Sequence, residues 1–141
     1  MNNRIAILIN ARLEELNKVE SIIDQLYADG KLPEEAYGNI LVVVSEATLN
    51  AIHHGSGSDA EKEVEVIFDF EGTKMTIEVS DSGKGFDHQN LPDPTDPANI
   101  EKGSGRGIFI MKNLSDEIEF LNEGSTVCLS FDLGTAVSVQ A

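Results

Sequence analysis

The stretch Val42-Val43-Val44-Ser45-Glu46-Ala47-Thr48-Leu49-Asn50-Ala51-Ile52-His53-His54-Gly55 decides how this chain is read. It is apolar nearly all round, yet it carries a carboxylate and an amide four residues apart. On a helix that spacing puts Glu46 and Asn50 on one face. Burying either group without a partner costs several kcal/mol. Two such residues on an otherwise apolar helix therefore point to a site. A carboxylate can take up a proton, and an amide oxygen is a hard ligand suited to Mg²⁺.

Upstream of this stretch, Pro33 followed by Glu34 and Glu35 opens the same helix, because proline suits the first turn and acids suit the positive end of the helix dipole. The helix is expected to run to about His54, with Gly55 as its stop. Before it, Leu13, Leu16, Val19, Ile22, Ile23 and Leu26 recur at helical spacing, and Asp29-Gly30 ends that run. Ile5, Ile7 and Ile9 mark a first strand. Downstream, Val64, Val66, Phe68 and Phe70 share one face of a strand, Glu71-Gly72-Thr73 turns the chain, and Met75, Ile77 and Val79 line the next strand. A Gly-, Pro- and Asp-rich stretch covers residues 81–106, of the length that functional loops have. A short helix with Ile108, Phe109, Ile110 and Met111 follows. Ile118 and Phe120 mark a strand, Asn122-Glu123-Gly124 a turn, and Val127, Leu129, Phe131 and Leu133 the last strand.

Strand pairs of this kind are hairpins, not parallel crossovers. The order predicts an α+β, two-layer sandwich: a mixed, mostly antiparallel sheet with helices on one face. The 141 residues fit a single domain over 1–141, with a core of about 5–133 and a frayed tail at 134–141.

Lys and Arg number 10 against 25 Asp and Glu, a formal charge of −15. That argues against sequence-independent nucleic-acid binding and against an anionic membrane surface. It is suited to steering a basic protein partner. One cysteine, Cys128, excludes an internal disulfide framework and is expected in the core. No secretory leader and no run of spanning length is read, so a cytoplasmic location is expected.

Two further segments carry chemistry. Asp81-Ser82-Gly83-Lys84-Gly85-Phe86 follows directly on a strand. Asp81 can accept a hydrogen bond from an exocyclic amine such as that of adenine, and Gly83 and Gly85 let the backbone approach a flat ring. Gly103-Ser104-Gly105-Arg106-Gly107 opens a helix, where free N–H groups favour phosphate. It lacks the Lys-Ser/Thr ending of a P-loop.

Together, in this order, the three segments resemble the GHKL ATPases, the family of gyrase, histidine kinases and mismatch-repair ATPases. Ser45 to Gly55 resembles the family's N box, Asp81 to Phe86 its first glycine box, and Gly103 to Ile110 its second. Gly124-Ser125-Thr126-Val127 resembles the last-strand element in which a Thr helps to hold adenine. The likeness runs from about residue 5 to 133 and is strongest to the small anti-sigma factor kinases of bacterial partner switches. It implies the Bergerat-type ATP-binding fold and a protein-serine kinase that phosphorylates a STAS-domain antagonist and sequesters a sigma factor. By the same resemblance Glu46 is the general base, Asn50 the Mg²⁺ ligand, and Asp81 the adenine reader, helped by Gly85 and Thr126. Gly105, Arg106 and Gly107 hold the phosphates of ATP, under a lid of about residues 87–104, and Gly83, Phe86, Gly103 and Ile108 are further cofactor-binding residues. Lys18 on the first helix is the candidate partner contact, and a homodimer is implied, with the Ile5–Ile9 strand at its interface. His53 and His54 sit at the N-box end and serve packing or capping, not phosphorylation. Two other functions share these residues: a regulatory module that uses ATP only to dock a partner, and a detached histidine-kinase catalytic domain. Glu46 separates the first of these from a kinase, since pure binding needs no base.

Overall fold

The computed structural model describes residues 3–55, 62–81, 106–122 and 125–134. The elements are β1 (Arg4–Asn10), a 3₁₀ turn (Leu13–Glu15), α1 (Leu16–Ala28), α2 (Glu34–Asn50), a π-helical turn (Ala51–Gly55), β2 (Glu63–Glu71), β3 (Lys74–Asp81), α3 (Arg106–Leu114), β4 (Glu117–Leu121) and β5 (Thr126–Asp132). The five strands form one sheet in the order β1-β2-β3-β5-β4. All four pairings are antiparallel, so the sheet is not mixed as expected. The reason lies in β5, which folds back from β4 and enters beside β3 in the antiparallel sense.

The α+β sandwich itself is as the sequence predicts. Val64, Val66, Phe68 and Phe70 of β2, Met75, Ile77 and Val79 of β3, and Val127, Leu129 and Phe131 of β5 are all buried. Apart from Ile67 and Cys128 they alternate with polar residues, as a sheet covered on one face requires. The cover is α2, which touches β3 and β5 and has α1 and α3 packed against it. Val19, Ile23 and Leu26 of α1 and Ile40, Val43, Val44 and Ala47 of α2 close the core from the helix side.

Two helix ends set the register of this layer. α1 stops where expected: Gly30 has φ +74°, Lys31 N–H donates to Leu26 O at 2.8 Å and Gly30 N–H to Tyr27 O at 3.0 Å. This paired closure satisfies the last carbonyls. Pro33 caps α2 from one position earlier than expected, with extended backbone and its carbonyl accepting from Ala36 and Tyr37 N–H at 3.0 and 3.1 Å. The other end of α2 departs further from expectation. Regular α-helix closes at Asn50, and Ala51–Gly55 continues as a π turn. Such turns are frequent at functional sites.

Cys128 is not in the core. It is half-buried on the open face of the sheet, opposite Glu78 on one side and Glu119 on the other. Its neighbours Val127 and Leu129 hold the inward phase, which leaves the cysteine out of phase with them. Burial and the two carboxylates push its thiol above the ordinary cysteine range.

Candidate functional site

Glu46 and Asn50 do share one face of α2, half-buried. What lies against that face is Gly107, in the first turn of α3. A Cβ at position 107 would stand 2.8 Å from Glu46 Oε2, 3.4 Å from Asn50 Nδ2 and 3.7 Å from Asn50 Oδ1. Glycine is needed there for closeness, not for an unusual φ. The contact joins the N-box-like helix to the start of the helix that the second glycine segment opens. It leaves two oxygen-bearing side chains facing backbone, with no side chain between.

The flanks of this stretch are turned to other tasks. Ser45 Oγ donates to Glu20 Oε2 on α1 at 3.0 Å. Ala47 and Ile52 are buried, and His53 is exposed, which removes packing as its role. Ile108 is buried in the core, so its side chain anchors α3 and only its backbone can face a ligand. The first N–H groups of α3, from Arg106 to Phe109, have no partner within the helix.

Asp81 ends β3 in phase with Met75, Ile77 and Val79, on the helix side of the sheet. Its N–H donates to Ser125 O at 2.9 Å. The π turn that continues α2 packs on β3. Thr126 does not join them. Its Oγ1 lies 3.0 Å from Ser80 Oγ and accepts from Asn122 Nδ2 at 3.1 Å, on the open face of the sheet. The residue across from Asp81 is Ser125. Strand phase could have found this, because Thr126 is adjacent to inward-facing Val127 and must point the other way. Gly83, Gly85, Phe86, Gly103, Gly105, the side chain of Arg106 and the 87–104 lid lie outside the described residues. Lys18 is exposed at the start of α1 and is held by Glu15 at 2.8 Å.

Oxygen donors on one helix face suit a hard cation, and the Gly107 contact leaves a cradle that any larger residue would fill. The residues present therefore fit a nucleotide and Mg²⁺. Asn50 offers the amide oxygen, the first turn of α3 offers N–H groups to phosphate, and Asp81 offers a carboxylate to a base.

Among the described residues, three α-helices lie on an antiparallel sheet, an arrangement of the nucleotide-binding class. The chain belongs to the family described as the histidine kinase-like ATPase domain, whose pattern matches residues 9–131. It is 23% identical over 137 residues to the serine-protein kinase RsbW of Listeria innocua, covering 92% of this chain and 87% of that one. It is 37% identical over 95 residues to the anti-sigma F factor of Anoxybacillus flavithermus, covering 62% of this chain and 64% of that one. Among solved structures, the RsbU and RsbW domains of Rv1364c from Mycobacterium tuberculosis superpose with a TM-score of 0.67 at 16% identity, over 96% of this chain and 33% of that chain. The histidine kinase domain of the blue-light activated kinase of Erythrobacter litoralis EL346 gives a TM-score of 0.55 at 22% identity, over 86% of this chain and 60% of that chain. At these identities the two structures speak for the fold alone. Among the described residues, no helix is long and apolar enough to cross a membrane.

Proposed function

We propose that this chain is an ATP-dependent protein-serine kinase that acts as an anti-sigma regulatory factor. Its phosphoryl acceptor is a serine on a STAS-domain antagonist, and its sequestered target is a sigma factor or a regulator of like kind. The observation that carries the reading is the approach of Gly107 to Glu46 and Asn50. It sets a proton acceptor, an oxygen ligand and the N-terminus of a helix around one small volume.

In this reading Glu46 takes the proton from the acceptor hydroxyl. Asn50 holds Mg²⁺ through its amide oxygen, and Asp81 accepts from the adenine amine. Backbone N–H groups from Gly105 to Gly107, with Arg106, hold the phosphates, and residues 87–104 close over them. Bound Mg²⁺ neutralises phosphate charge, which this acidic chain needs more than most. Phosphoryl transfer asks a protein for positioning and charge stabilisation, and these groups supply both. The names of the relatives, a serine-protein kinase and an anti-sigma factor, support the same conclusion. The protein works in the cytoplasm as a homodimer, with β1 at the subunit contact. β1 is an edge strand, and Leu8 on it is 56% exposed.

The test is incubation with labelled ATP, Mg²⁺ and each STAS-domain protein of the source genome. Phosphoserine is expected on one of them, and Glu46→Ala is expected to abolish transfer while ATP still binds. Tight ATP binding with no transfer to any candidate would instead make the chain a docking module that uses nucleotide as a ligand.

A further inference from the structure

Thr48 lies between Glu46 and Asn50 in α2 but on the other side of the helix. A residue advances an α-helix by about 100°, so Thr48 stands about 200° from each of them. It falls in the sheet-facing stripe with Val44, Ala51 and Ile52, all buried. Thr48 is 0% exposed, and its Oγ1 has no hydrogen-bond partner. A helical threonine can donate to the carbonyl four residues back, but this one does not.

A buried hydroxyl left unpaired is destabilising, and valine of the same shape would remove the penalty. The chain places valines at 42, 43 and 44 on the same helix. A hydroxyl at 48 therefore calls for a partner that the folded chain does not provide. Its position says which partner. Three residues after Thr48 the helix opens into the π turn that packs on β3. The inward phase of β3 ends on the Asp81 carboxylate. Thr48 and Asp81 thus both belong to the inward phase, one on the helix wall and one on the sheet wall of the same layer.

We propose that Thr48 is a further nucleotide-recognition residue. Its hydroxyl hydrogen-bonds the polar edge of the purine base, or a water buried with it, beside Asp81. This rests on the reading that Asp81 holds the base. In the free protein the hydroxyl is strained by want of a partner, and the ligand supplies one.

The experiment uses Thr48→Val and Asp81→Asn in the full chain, with two readouts: melting temperature without ligand, and ADP affinity by calorimetry. For Thr48→Val the free protein is expected to melt at the same temperature or higher. ADP affinity is expected to fall about three- to tenfold, the effect of losing one neutral hydrogen bond. Unchanged ADP affinity would overturn the proposal, and so would a lower melting temperature with affinity kept, since the hydroxyl would then have a protein partner. Asp81→Asn tests the underlying reading separately. If it leaves ADP affinity unchanged, the base is not held there, and any Thr48 effect would have another origin. If it weakens ADP while Thr48→Val does not, the Asp81 reading stands and the Thr48 inference falls.

Discussion

At the scale of single residues, the Gly107 contact governs what the site can do. A methyl group at 107 would come 2.8 Å from Glu46 Oε2, closer than Cβ atoms approach other atoms, so something must move. The movable partner is the carboxylate end of Glu46, a flexible group. Gly107→Ala should therefore leave the fold standing and displace the base. Misplacing a reacting group by about 1 Å can cost about a hundredfold in rate. The expectation is a loss of phosphoryl transfer of about ten- to a hundredfold with a melting temperature close to the parent's, read by transfer kinetics and thermal unfolding side by side. An unchanged rate would mean that Glu46 does not act from its observed position. That Glu46 and Asn50 share one half-buried face of α2 was legible in the sequence, because their i, i+4 spacing is a local signal. Gly107 was legible only as part of a glycine pattern; that it faces Glu46 is a tertiary fact. Thr126 misled because the motif was read without strand phase. Ser80 and Asn122 occupy its hydroxyl on the far face.

At the scale of elements, the sequence foretold the strands and α-helices of the described residues, because hydrophobic period is a local signal. The π turn was not foretold. Ala51-Ile52-His53-His54-Gly55 has the composition of ordinary helix, and the widening depends on how the turn meets β3. The α1–α2 contact carries another polar device. Tyr37 hydroxyl donates to Asp24 Oδ1, and the Tyr37 ring stacks on Tyr27 with centroids 4.3 Å apart. The hydrogen bond to Asp24, with a lesser effect of burial, raises the Tyr37 phenol above its ordinary range. The sign follows: a phenol whose folded-state pKa is raised stabilises the fold while protonated. That contribution is complete below the unfolded pKa of about 10 and is lost as pH rises through the folded value. The native protein should therefore lose melting temperature as pH rises above about 10 more steeply than Tyr37→Phe, which has no phenol to titrate. Parallel curves for the two proteins would show that the Asp24 bond contributes nothing in solution.

At the scale of the whole molecule, the acidity predicted from composition has a definite place. Glu65, Asp69, Glu78, Glu117 and Glu119 stand at outward positions of the sheet, where the basic residues of the five strands are Arg4 and Lys74. Two copies could meet through this face or through an edge. Face-to-face packing would bring like charges together and would strengthen as salt screens them. Edge pairing through β1 joins backbone groups and should respond little to salt. β1 is an edge strand, with Leu8 opposite Glu65 in the register. Leu8→Glu would set a carboxylate directly across from Glu65 and beside any second β1. Its cost within the subunit is about 0.2–1 kcal/mol, small enough for the fold to survive. Its cost to a dimer is counted twice, because a two-fold axis repeats the change. Sedimentation equilibrium is expected to find a native dimer whose dissociation constant is flat across salt, and a folded monomer for Leu8→Glu. A native dimer that tightens markedly with salt while Leu8→Glu remains dimeric would move the contact from the β1 edge to the acidic face.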